Sequence, residues 1–205
     1  MLSTEGREAL NHARISVPPG ARRNYAHRQA EGALVQSQRL GDRLYIATAL
    51  SYLGLLDVRE YAWESAYERL VEALGRARGI SSPKAITLVF EGLASLWAIS
   101  GEWARATQLF GAIEMVYLRR GARPAPLNYK LQMPYVRAAH ANLGPQRFAL
   151  TWARGQELTL EAACAVASAR TGLYAAVWSN GRAHTFEHVI DLALKRGATL
   201  DWVSL

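Results

Sequence analysis

Apolar residues recur along this chain at three- and four-residue spacing, the mark of helices that bury one stripe. The stripes themselves recur. The segment Ala66-Tyr-Glu-Arg-Leu70-Val-Glu-Ala73-Leu74 returns forty positions on as Ala106-Thr-Gln-Leu-Phe110-Gly-Ala-Ile113, and stands forty positions earlier as Ala26-His-Arg-Gln-Ala30-Glu-Gly-Ala33-Leu34. A second stripe precedes it in each unit. Tyr45-Ile-Ala-Thr-Ala-Leu-Ser-Tyr-Leu53-Gly54 matches Ala85-Ile-Thr-Leu-Val-Phe-Glu-Gly-Leu93-Ala94 in the same register. Each unit of about forty residues is therefore expected to be a helical hairpin. Three such hairpins fill residues 1–121, the first degenerate with its opening helix near Thr4 to Ile15. A helical C-terminal cap fills 122–205.

The residue types have physical reasons. Gly54 and Ala94 let the second helix of a pair approach closely, and Ala66 and Ala106 are the answering small positions. Leu70 and Phe110, one turn later, fill the space between consecutive hairpins, and Trp63 and Trp103 cap the preceding turn. Breakers fall where hairpin turns belong: Pro18-Pro19-Gly20 in the first unit, Gly101 in the third, and Gly79 with Pro83 between the second and third.

Small residues at fixed positions of paired helices resemble the tetratricopeptide repeat. Leu53-Gly54, Ala66, Leu70 and Ala73 carry the likeness in the second unit; Leu93-Ala94, Trp97, Gly101, Ala106 and Phe110 carry it in the third. The resemblance implies an all-α solenoid of hairpins, although the period is six residues longer than the usual thirty-four. A closer likeness rests on Arg39-Leu-Gly-Asp-Arg43, Ala49-Leu-Ser-Tyr-Leu-Gly54, Phe90-Glu-Gly-Leu-Ala-Ser-Leu, Ala106-Thr-Gln-Leu-Phe-Gly-Ala-Ile-Glu114 and Phe148-Ala-Leu-Thr-Trp-Ala-Arg-Gly155. Over about residues 24 to 167 the chain is similar to the helical-repeat region of bacterial ATP-dependent, LuxR-type multidomain transcriptional regulators. In that family the repeats act as the sensing or partner-binding arm, while other domains hydrolyse ATP and contact DNA. This sequence carries no Gly-x-x-x-x-Gly-Lys-Ser/Thr phosphate loop, so ATP hydrolysis does not carry over.

The cap sequence occurs twice. Phe148, Trp152, Gly155, Thr159 and Glu161 reappear as Tyr174, Trp178, Gly181, Thr185 and Glu187. Thr159 and Thr185 suit helix N-caps, and Glu161 and Glu187 then stand at the positive helix end. A doubled cap offers a polar terminus for the solenoid or a surface for a homodimer.

Composition narrows the function classes. Of 205 residues, 50% are hydrophobic and 20% charged, enough apolar surface for an ordinary folded domain. One cysteine excludes a disulfide framework and a multi-thiolate metal site. Charged residues break every apolar run short of a membrane span, and MLSTEGREAL does not read as a signal peptide, so a cytoplasmic location is expected. The net charge of +7 is dispersed. Arginines supply nearly all of it, the doublets Arg22-Arg23 and Arg119-Arg120 lie far apart, and direct nucleic-acid binding is not expected.

Catalytic patterns find little footing. His184-Thr-Phe-Glu187-His188 satisfies a His-x-x-Glu-His zinc pattern, but Thr185 as N-cap leaves His184 outside the helix, and only two ligands are evident. Cys164 lies in an apolar helix and reads as a small hydrophobe. Nucleophile-elbow and dinucleotide-binding glycine motifs are lacking, so a non-enzymatic protein without cofactor is expected. A binding groove is expected on the first helix of each pair. Its inward positions are Thr48, Ser51, Tyr52 and Leu55 in the second unit and Leu88, Glu91, Ser95 and Ala98 in the third. Without lysine and asparagine there, it is no carboxylate clamp. The lining suits a moderately polar peptide or protein segment, with a small metabolite as the alternative, and Glu91 stands ready for a cationic group. The expected function is the protein-binding or scaffolding arm of a regulator; the alternative is a small-molecule inducer sensor.

Overall fold

The computed structural model describes residues 19–60, 62–124 and 126–169, with side chains from residue 25 onward except 126 and 127. These residues form eight α-helices and no strand: α1 Pro19–Leu40, α2 Arg43–Arg59, α3 Trp63–Gly79, α4 Pro83–Ile99, α5 Trp103–Arg119, α6 Pro126–Leu143, α7 Pro145–Gln156 and α8 Leu160–Ser168. The expected first helix, Thr4 to Ile15, and the second cap copy lie outside the described residues, as do His184 and His188.

The forty-residue period appears directly in the helix bounds. Helices α2 through α5 are each 17 residues long, and α2 and α3 begin forty positions before α4 and α5. Recurrent turns set this spacing. Gly41, Ser81, Gly101 and Gly121 all hold positive φ, at 67°, 49°, 85° and 57°. Each returns its amide to the carbonyl three residues back, and the next residue's amide reaches the carbonyl five back, as in Gly101 to Ala98 (3.1 Å) and Glu102 to Trp97 (2.9 Å). The left-handed residue thus satisfies carbonyls that a helix end leaves free and reverses the chain at once. Side chains start the next helix: Asp42 accepts from the Leu44 and Tyr45 amides at 3.1 Å, and Ser82 accepts from Ala85 at 3.3 Å. One expected breaker is displaced. Gly79 is the last residue of α3, and Ser81 takes the left-handed conformation instead. Pro19-Gly20 likewise opens α1, where a proline's missing amide costs nothing.

Packing follows the small-residue pattern. Leu70 is fully buried between Gly54 of α2 and Gly92 of α4; a Cβ on either glycine would stand 2.6 or 2.4 Å from its side chain. Ala66, Ala94 and Ala106 are fully buried in the same core. Phe110 packs on Trp152 of α7 at 6.5 Å between ring centroids, and Trp152 on Phe148 at 5.3 Å. Trp63 and Trp103 open α3 and α5, partly buried against this core. Helix α2 packs on α1, α3 and α4, and α4 in turn packs on α3, α5 and α6, so α2, α4 and α6 lie side by side.

Helix α8 closes the described fold as expected at its start and unexpectedly at its end. Thr159 caps it, accepting from the Ala162 amide at 3.1 Å. Its last carbonyls are taken by distant side chains: Tyr67 donates to Ser168 (2.7 Å), Trp97 to Ala167 (3.2 Å), and Arg105 to Val166 (2.8 Å) and Ala169. The Arg105 guanidinium also lies 3.7 Å over the Trp97 ring. Cys164 is buried on this helix, and burial pushes its thiol up, away from the reactive thiolate.

Candidate functional site

A cavity of about 580 Å³ lies between α1, α2, α4 and α6. Helical spacing builds each wall. From α2 come Tyr45, Thr48, Ala49, Tyr52, Leu55, Leu56 and Arg59, one stripe down the helix. From α6 come Asn128, Leu131, Gln132 and Tyr135, again three and four residues apart. Helix α1 supplies Ala26, Gln29, Ala30 and Ala33, whose short side chains leave the space open; α4 supplies Glu91 and Ser95.

Five of the eight expected groove residues meet here: Thr48, Tyr52, Leu55, Glu91 and Ser95. The other three do not. Ser51 and Ala98 are wholly buried in the core and line no described cavity, while Leu88 lines a neighbouring one. Consensus register places such positions on an open inner face of the first helix of each pair. Helix α4, however, is buried along every residue from Val89 to Ile99, because neighbours enclose it on all sides.

The hydroxyls expected to make this wall polar are turned away. Thr48 donates to the Leu44 carbonyl (2.9 Å), Ser51 to Ala47 (2.7 Å) and Ser95 to Glu91 (2.8 Å), so their protons are spent on their own helices. The wall is consequently more apolar than its composition.

Glu91 is the exception. Its side chain is 2% exposed, receives the Tyr117 hydroxyl at 3.0 Å on one oxygen and the Asn128 amide at 2.8 Å on the other, and is not a bare anion awaiting a cation. Burial raises its pKa to about 7, against the hydrogen bonds of Tyr117 and Asn128 and the nearby Gln132 amide, which favour the charged form. The Tyr117 phenol is pushed up in turn, by burial first and by the Glu91 charge second. Gln132 is buried, and its Nε2 stands near enough to favour the Glu91 carboxylate yet completes no hydrogen bond.

A second cavity of about 510 Å³ adjoins the first and shares Tyr45, Thr48, Tyr52 and Asn128 with it. Leu88, Lys84, Tyr117, Arg120 and Arg123 are also among its lining. No family model matches this chain, and no curated protein or solved structure matches it significantly. Among the described residues no helix is long and apolar enough to cross a membrane, and no three His, Cys, Asp or Glu side chains are grouped to hold a metal ion.

The walls given by α1 and α6 were missed in the sequence. Their signal was present, since Asn128, Leu131, Gln132 and Tyr135 keep helical spacing, but the same spacing describes any buried stripe.

Proposed function

We propose that this protein is a non-enzymatic sensor module that captures a small, largely apolar ligand in the cavity between α1, α2, α4 and α6. The carrying observation is the cavity itself. Its volume and its apolar lining with one buried acid at the wall are those of a small-molecule site. Four helices from different parts of the chain meet around it, so an occupant would tie α1 and α6 to the central pair and alter their stacking.

The forty-residue period supports reading the hairpins as a tetratricopeptide-like solenoid, and the motifs shared with LuxR-type regulators support reading the module as the sensing arm of such a regulator. Protein capture is the second reading. It is favoured by exposed large apolar side chains, Leu40 at the end of α1 and Leu44, Tyr45 and Tyr52 along α2, of a kind found on surfaces that meet protein partners.

Thermal-shift screening against a metabolite panel separates the two. A ligand that raises the melting temperature, and loses the effect when Ala30→Trp fills the cavity, supports the sensor. Recovery of a specific protein partner, undisturbed by Ala30→Trp and lost with Tyr45→Ala, would displace it in favour of the scaffold.

A further inference from the structure

The second cavity carries an uneven charge. Lys84 at the start of α4, Arg120 directly after α5 and Arg123 beyond it all line this space, and among the described residues no carboxylate does. None of the three has an ion-pair partner among the described residues, whereas Arg69, Arg76 and Arg78 are each paired with an acid. Unpaired cations gathered on one concave wall raise the local concentration of anions. The adjoining cavity is mainly apolar: Ala30, Ala33, Leu55, Leu56 and Leu131 offer apolar surface, its acid, Glu91, is hydrogen-bonded inside the wall, and its single cation among the described residues, Arg59, stands at the end of α2. The two spaces meet along Tyr45, Thr48, Tyr52 and Asn128.

From this juxtaposition we infer that the ligand is an amphiphile, an apolar chain or ring system held between α1, α2 and α6 with an anionic head, a carboxylate or phosphate, at Lys84, Arg120 and Arg123. The inference rests on the sensor reading and specifies its chemistry. A neutral apolar ligand would use only the first cavity, and a cationic one would place its charge against three like charges. Tyr45 and Tyr52 are largely exposed at the junction, so their rings can cover a chain passing from one space to the other.

The experiment compares decanoate, decanol and decylamine by titration calorimetry at low salt, with each probe held monomeric. Decanoate is expected to bind most tightly. The exposed substitutions Lys84→Gln, Arg120→Gln and Arg123→Gln, combined, are expected to weaken it about tenfold while leaving decanol unchanged. Raised salt should weaken decanoate binding to the unsubstituted protein in the same direction, which makes the test independent of the variant's folding. Decanol or decylamine binding as tightly as decanoate would overturn the anionic head; if Ala30→Trp then abolished that binding, the cavity would still be the ligand site. Binding of none of the three overturns the amphiphile, and the metabolite screen then judges the sensor reading by itself.

Discussion

Gly111 of α5 and Gly155 of α7 face each other where the two helices cross, so closely that a Cβ on Gly111 would stand 2.3 Å from the Trp152 carbonyl oxygen and 3.2 Å from the Gly155 Cα. A Cβ on Gly155 would stand 2.1 Å from the Gln108 carbonyl oxygen. Both obstacles are backbone, which no rotamer change removes. The crossing brings Trp152 and Gln156 onto the Glu114 carboxylate, at 2.6 and 2.8 Å, and Trp152 onto Phe110.

Gly155→Ala or Gly111→Ala is therefore expected to cost about 3 kcal/mol or more, since two helices must separate to admit one methyl group. Gly75, inside α3 with nothing within 4 Å of its Cβ position, is the control. Gly75→Ala should stabilise by about 0.5–1 kcal/mol through helix propensity. Urea denaturation of the three variants checks both signs.

Ser81 pays a steric cost at φ 49° that Gly41, Gly101 and Gly121 avoid in the same turn. Ser81→Gly should raise stability by about 1 kcal/mol, the left-handed penalty less the added freedom of the unfolded chain. A rise in melting temperature checks this; a fall would mean that the Ser81 side chain stabilises the turn.

Glu91 links stability to pH. Its folded pKa of about 7 lies above the ordinary 4.5, so the native state holds a proton that the unfolded chain releases between those values. Stability from this group is full below pH 4.5 and falls as pH rises to about 7, by on the order of 3 kcal/mol. Glu91→Gln should remove that part of the decline. Urea midpoints at pH 5 and pH 8 test it: the difference between them should shrink in the variant, through greater stability at the higher pH.

Arg105 holds the end of α8 by its stack on Trp97 and its bonds to Val166 and Ala169. Arg105→Ala should cost about 2 kcal/mol, and Arg105→Lys most of that, because an ammonium cannot stack and fork together. Hydrogen exchange should quicken in α8 before α3 or α4.

Ala66, Leu70 and Gly101 were legible in the sequence because each answers a local demand: a close helix contact, a filled gap, a left-handed turn. Glu91 was legible as a groove residue but not as a hydrogen-bonded acid of raised pKa, since Tyr117 and Asn128 reach it from other helices. Ser51 and Ala98 were misplaced by a register argument that cannot see how many neighbours surround a helix.

What the sequence determined by itself was the helical class and the forty-residue beat, because helix stripes and left-handed turns are set by residues within a few positions of one another. The tertiary structure decided which helices enclose the cavity, which hydroxyls turn away from it, and how α8 is tied down by Tyr67, a bond spanning 101 residues. Those outcomes depend on how helices far apart in the chain lie against each other, and side-chain spacing along one helix holds no record of its neighbours.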